Sequence, residues 1–224
     1  MEIILILGAV ATVAVGGWVY REIFSARGRA KRALRKAPRV PIARARDGEL
    51  AKLGGTLRLA DAPVTAPLTG RPCAFYQTTV EQRRGSGNSS RWVKIIDERD
   101  FSKALWIDDG TGQALVELVC PQVVLTMDNH FSSGFLSDAG PELEAFLARH
   151  GEASQGWVFN KTLRYREGML EEGERVTVLG LCRWEPDPDP AAASGAGFRQ
   201  QAMRLRVVCP AGGELLLSDD PSVV

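Results

Sequence analysis

The sequence predicts a mainly-β barrel with one short helix, carried behind an amino-terminal transmembrane helix. Three observations predict it. Residues Ile3 to Tyr20 hold no charged side chain, and eighteen residues at about 1.5 Å each make roughly 27 Å of helix, close to the hydrocarbon thickness of a bilayer. Between Thr56 and Leu217, short runs of β-branched, aromatic and aliphatic residues are punctuated by Gly, Pro and Asp, the pattern of strands joined by tight turns. Within that stretch Pro141 to Gly151 has Pro at its entrance, acids in its first turn, bases in its last and Gly at its exit, as a helix requires.

The chain opens Met1-Glu2 and leaves the apolar run through Trp18-Val19-Tyr20-Arg21. A cleaved signal would begin with basic residues and end in a small-x-small site, whereas aromatic residues at the end suit an interfacial anchor. Residues 1–20 are therefore assigned to the membrane. Residues 21–46 carry ten basic side chains and one acidic, net +9, and residues 47–224 carry 18 basic and 25 acidic, net −7. Positive charge on this flank places everything after Tyr20 in the cytoplasm.

From Ser25 to Ala37 an Arg/Ala composition predicts helix as far as Pro38. Its cations Arg27, Arg29, Lys31, Arg32, Arg35 and Lys36 can meet anionic headgroups at about 1 kcal/mol each; a topology signal with no further role is the plainer reading. Pro38, Pro41 and the Arg44 to Gly48 stretch read as a tether leading into a single domain over residues 47–224. In the span itself Gly8, Thr12 and Gly16, with Ala9, Val13 and Gly17, make a small-residue face on which a second copy could pack. A lone anchor is again plainer.

Strands are expected at Thr56–Leu59, Ala74–Val80 and Trp92–Ile96, the last two joined through a polar loop over Gln82–Arg91. Ala104–Ile107 and Ala114–Val119 flank Asp108-Asp109-Gly110-Thr111-Gly112, the clearest hairpin in the chain. A short strand is expected at Val123–Thr126, an irregular connection over Asp128–Ser137, and a buried helical stripe of Leu143, Phe146 and Leu147. Trp157–Glu167 and Glu174–Trp184 follow as strands, with Gly180 relieving a bend. A mobile loop is expected over Glu185–Gly197, then strands at Met203–Val207 and Leu215–Leu217, for roughly nine in all.

Two patterns carry a resemblance. The Asp108–Gly112 turn between strands, followed later by Gly173, Glu174, Val176, Val178 and Gly180 on one strand, is similar to OB-like barrels. More narrowly, Thr65-Ala66-Pro67-Leu68-Thr69-Gly70-Arg71-Pro72-Cys73 with Phe75-Tyr76, then Tyr165-Arg166-Glu167 leading to Gly173, then Leu217-Ser218-Asp219, resembles the GIDE domain. This is the "besides a membrane" module of MULAN-like membrane E3 ubiquitin ligases. The resemblance covers about Gly54 to Asp219 and implies an OB-like domain in a membrane-bound protein. Family ligases add a second span and a zinc-binding RING, and no such thiol spacing follows here. The resemblance therefore implies a binding or sensing module, with ubiquitin-ligase activity as the alternative; the Ala/Arg/Gly-rich composition points to a bacterial relative at the inner membrane.

Chemistry-bearing residues are sparse. Cys73, Cys120, Cys182 and Cys209 are far apart with no CxxC, so buried reduced thiols are expected, with no metal and no cofactor. His130 and His150 are the only histidines, and Asp128, His130 and Ser132 or Ser133 lie too close on one loop to align as a catalytic set. The candidate partner-binding residues are the aromatics Phe75, Tyr76, Trp92, Trp106 and Tyr165, each of which could equally be core, together with Arg166 and Glu167. Arg83, Arg84, Arg91 and Lys94 around Trp92 have the basic and aromatic mixture of single-strand binders, but the net −7 domain argues against nucleic acid. The expected partners are an anionic bilayer and an unidentified membrane or cytoplasmic protein.

Overall fold

The computed structural model describes residues 26–85, 90–119, 121–127, 129–132, 141–151, 163–188 and 202–223, those at 129–132 and 141–144 by backbone alone. The apolar stretch 1–20 lies outside these residues, and among them no helix is long and apolar enough to cross a membrane. In chain order the elements are a helix α1 (residues 26–36), a 3-10 turn (Ile42–Arg44), β1 (Leu50–Leu59), β2 (Val64–Thr65), β3 (Pro72–Cys73), β4 (Phe75–Arg84) and β5 (Arg91–Phe101). There follow β6 (Ala104–Asp108), β7 (Gln113–Glu117), β8 (Gln122–Val124), β9 (Asn129–Ser132), α2 (Pro141–Arg149), β10 (Leu163–Leu170), β11 (Arg175–Pro186), β12 (Met203–Val208) and β13 (Leu216–Ser218).

Five of the strands close a barrel. β1 pairs with β6, β6 with β7, β7 with β12, β12 with β11, and β11 returns to β1; only the β7–β12 pair is parallel. Counting barrel strands along the chain, the order round the barrel is 1-2-3-5-4-1. Alternation along the strands turns Leu53, Leu57, Leu105, Ile107, Val116, Val178, Leu205 and Val207 inward to form the core. Two glycines allow the strands to approach. A Cβ on Gly55 would stand 2.7 Å from the Asp108 carbonyl oxygen, and one on Gly180 would stand 2.6 Å from Val207 Cγ1, so Gly180 makes room for β12 side chains, where relief of a bend was expected.

The segment expected as a basic juxtamembrane helix and tether is folded onto the barrel. Ala30 and Leu34, one helical turn apart, are buried against Val124, Leu179, Leu216 and Val223, and Ile42 and Ala45 enter the main core. The backbone of Val40 donates to the Lys52 carbonyl at 2.9 Å, and Ile42 N donates to Asp109 Oδ2 at 2.9 Å. Trp184 Nε1 donates to the Ala45 carbonyl at 2.8 Å. The apolar i, i+4 stripe, which the charges obscured in the sequence, decides the outcome.

Both long insertions leave the barrel and pair with each other. Residues 60–103, between β1 and β6, supply β4 and β5; residues 118–174, between β7 and β11, supply β9, α2 and β10. Together they form an antiparallel sheet in the order β5-β4-β10-β9. Helix α2 covers one face of this sheet, with Phe146 and Leu147 packed on Val80, Ile96, Leu163 and Tyr165. The connection expected to be irregular holds β9; the side chain of Leu143, residues 157–162 and most of the loop expected at 185–197 lie outside the described residues.

Candidate binding face

One side of the four-stranded sheet is committed to structure. Glu167 is fully buried and its carboxylate accepts from the backbone of Leu68 at 2.9 Å, the backbone of Thr69 at 3.1 Å and Thr78 Oγ1 at 2.9 Å. A buried carboxylate persists when donors surround it in this way, so Glu167 clamps the Pro67–Gly70 turn onto the sheet. In the same cross-strand row, on the other side of Thr78, Glu98 accepts from Tyr76 Oη at 2.6 Å and lies 2.6 Å from His150 Nε2, with the Arg149 guanidinium at 3.6 Å. Burial would raise the Glu98 pKa, but the hydrogen bonds from Tyr76 and His150 outweigh it and hold the carboxyl below its ordinary range. Burial and the neighbouring Glu98 push the Tyr76 phenol upward. This cluster fixes the end of α2 to β5.

These contacts redistribute the partner-binding candidates. Phe75, Tyr76, Tyr165 and Glu167 are buried and build the domain, so they are withdrawn from the surface set; Trp106 is half-buried in the barrel wall. Trp92, which is 37% exposed, and Arg166 remain.

Both belong to the opposite face of the sheet. The register pairs Glu81 with Arg164 and Lys94, Thr79 with Arg166 and Asp97, Gln77 with Arg99, and Arg83 with Trp92, and alternate residues of each strand share a face. The described residues there thus include five cations, Arg83, Lys94, Arg99, Arg164 and Arg166, against Glu81 and Asp97. The Arg164 guanidinium lies 4.3 Å from the Trp92 ring centroid, a cation–π contact, and also pairs with Glu81. Lys94 meets Asp97 at 2.8 Å, and Gln77 Nε2 donates to Asp97 Oδ1 at 2.7 Å. Burial opposes the ionised form of Asp97, yet these donors and Arg99 keep its pKa lowered. A bulge between Val80 and Glu81 sets which side each tip residue takes. Sequence proximity groups Arg83, Lys94 and Trp92, but Arg164 and Arg166 join them only through the β4–β10 pairing, which no local pattern announces.

The basic residues of α1 are divided between the domain and solvent. Arg27 Nη2 donates to the Leu125 carbonyl, Lys31 pairs with Asp220, and Arg35 Nη2 donates to Ser222 Oγ at 2.9 Å. Arg32 and Lys36 are exposed. A polar cleft of about 290 Å³ lies at the barrel's hairpin turn, lined by Thr56, Arg58, Asp108, Asp109, Gly110 and Arg175; Asp109 in it is spent on the Ile42 and Thr111 donors.

Two of the cysteines, Cys73 and Cys182, lie buried in the core. Burial, reinforced by Glu167 and Glu171, pushes the Cys73 thiol up to about 12, and burial pushes Cys182 up to about 11, against thiolate formation. Among the described residues no three His, Cys, Asp or Glu side chains converge as a metal site would. Cys120, Asp128, Ser133 and the His130 side chain lie outside the described residues. Comparisons with protein-family models, with curated proteins and with solved structures find no match to this chain.

Proposed function

We propose that this chain is a membrane-anchored binding or sensing module, an OB-like barrel of the GIDE kind held by residues 1–20 with its domain in the cytoplasm. The observation that carries the reading is the docking of α1. Because Ala30, Leu34 and Ile42 are buried in the domain, whatever fixes the chain just before residue 26 also fixes the barrel, with no slack from a flexible linker. Confinement near a bilayer raises the effective concentration of partners in the same membrane, so weak contacts suffice.

The OB-like reading is supported by the barrel's 1-2-3-5-4-1 order with its single parallel pair. The GIDE reading is supported by the way the resembling stretches interlock. Glu167 clamps the turn within Thr65–Cys73, and Asp219 accepts from the Thr126 backbone at 2.8 Å, joining the carboxy-terminal stretch to the segment after β8. The stretches thus work as fold-building contacts.

The test is topology and extraction. In membranes from intact cells the chain should resist alkaline extraction, and a tag after Val224 should be protected from external protease until the membrane is opened. Release at alkaline pH, or a tag cleaved from outside, refutes the anchored, cytoplasm-facing reading.

A further inference from the structure

We propose that the basic face of the β5-β4-β10-β9 sheet is a second membrane contact, which lays the domain against anionic headgroups beside its own anchor. This rests on the anchored reading above, and three observations carry it.

The first is where the chain enters the domain. Arg27, in the first described turn of α1, donates to the Leu125 carbonyl. The Leu125–Met127 segment in turn lies over Gly168: a Cβ there would stand 2.8 Å from Thr126 O, 3.1 Å from Met127 Sδ and 3.3 Å from Leu125 Cβ. Gly168 alternates with Arg166 and Arg164 along β10, so its Cβ position lies on their side of the sheet. The point at which the chain arrives is therefore on the basic face itself, away from α2.

The second is charge. On the described residues of this face the five cations outnumber Glu81 and Asp97 by three, while residues 47–224 as a whole are net −7. An acidic domain with one basic face on its anchored side is oriented by an anionic surface, which attracts that face and repels the rest.

The third is the aromatic. Trp92 stands exposed at the far end of the same face, next to Arg83 across the strand pair. Tryptophan with adjacent cations is the composition of a membrane–water interface. One side of its ring is already held by Arg164, which suits a headgroup contact better than stacking on a base. The geometry thus favours an anionic bilayer over a single-stranded nucleic acid.

The experiment uses the full chain reconstituted with phosphatidylcholine alone or with added phosphatidylglycerol. Lipid brominated high on the acyl chain quenches nearby tryptophan, and the Trp92 share is the difference between the chain and its Trp92→Phe variant. The expected result is Trp92 quenching with phosphatidylglycerol and none in pure phosphatidylcholine. It should be lost near 1 M salt, where screening shortens to about 3 Å. Arg166→Gln with Lys94→Gln should weaken it severalfold, and Arg166→Lys should retain it; unchanged unfolding midpoints show that the variants fold.

Equal quenching in both bilayers, or none in either, overturns the inference, as does a single-stranded oligonucleotide that shifts Trp92 emission where phosphatidylglycerol does not. Alkaline extraction of the same vesicles separates this from the anchored reading. A retained chain without Trp92 quenching sinks only the basic-face contact. An extractable chain that still shows phosphatidylglycerol-dependent quenching keeps that contact and sinks the anchor.

Discussion

Replacing Leu34 by Ala tests where the folded domain begins. Leu34 is 0% exposed and touches the cluster of Ala30, Val124, Leu179, Leu216 and Val223, contributed by α1, β8, β11, β13 and the carboxy-terminal turn. Truncating a leucine so enclosed removes its transfer free energy and leaves a cavity, about 2–5 kcal/mol together. For a chain of this size each kcal/mol moves the melting temperature by about 2–4 °C, so a fall of roughly 4–20 °C is expected. If residues 21–46 were only a juxtamembrane helix and tether outside the domain, the change would stay within about 0.5 kcal/mol. Arg32→Ala, an exposed position on the same helix, supplies that baseline. The assay is thermal unfolding of the full chain in mild detergent, followed by near-ultraviolet dichroism. Ile42→Ala, in the separate barrel core, should cost a similar amount, and the two should add because the sites share no cluster. A chain starting at Asp47 should then lose cooperative unfolding that a chain starting at Ala26 keeps. A Leu34→Ala melting temperature matching that of Arg32→Ala would refute the docking and return the boundary to residue 46.

Glu167→Gln places an amide group against backbone N–H donors that now meet carboxylate oxygens; a loss of about 1–3 kcal/mol and faster amide exchange at Leu68 and Thr69 are expected. Hydrogen bonds from Lys31 and Ser222 hold the Asp220 carboxyl down at about 2, against an ordinary 3.8. A depressed carboxylate contributes fully above the unfolded value and loses that contribution as pH falls through the folded one. Amide exchange in α1 should therefore rise between about pH 4 and pH 2, and Lys31→Met should flatten the change. With the raised, buried thiols of Cys73 and Cys182 inaccessible, a maleimide should label Cys209 before either of them in the native chain, and equal labelling of these three would contradict the burial of Cys73 and Cys182.

The parts of this fold legible in the sequence are those set by local chemistry. Asp108 to Gly112 reads as a turn because its carboxylates cap its own backbone, as in the Gly110 N to Asp108 Oδ1 bond of 2.9 Å. Pro141 and Gly151 bracket α2 for the same reason. The first half of β1 escapes because Gly54-Gly55 erase its alternation, and the need for those glycines arises from β6 and Arg39, which lie elsewhere in the chain. The candidate site was half visible. Trp92 stood out among nearby cations, yet the side of the sheet it occupies depends on a bulge at Val80/Glu81, and a one-residue slip exchanges the two faces. Phe75, Tyr76 and Tyr165 look like surface aromatics only when their strands are imagined solvated there; Phe75 enters the barrel core, Tyr76 packs with Ala66, Cys73 and Met169, and Tyr165 packs against α2.

The barrel and its insertions divide the work. The five barrel strands pair with one another all the way round, β13 and β8 extend the sheet from β11, and the inward residues are consumed by the core. The basic and aromatic face is supplied by the two insertions. Because these pair with each other, Arg164 and Arg166 from one meet Trp92 and Lys94 from the other in a fixed register. Glu167 ties that sheet to the Pro67–Gly70 turn, and the Leu125–Met127 segment ties it to α1. Sheet, barrel and α1 thus form one continuous set of packed contacts, and under the anchoring proposed above the direction in which the basic face points is set at Ala30 and Leu34, far in sequence from any residue on it. A substitution in α1 that preserves packing would leave the face's orientation alone; one that opens the α1 cluster would free the face to turn without changing a single charge on it.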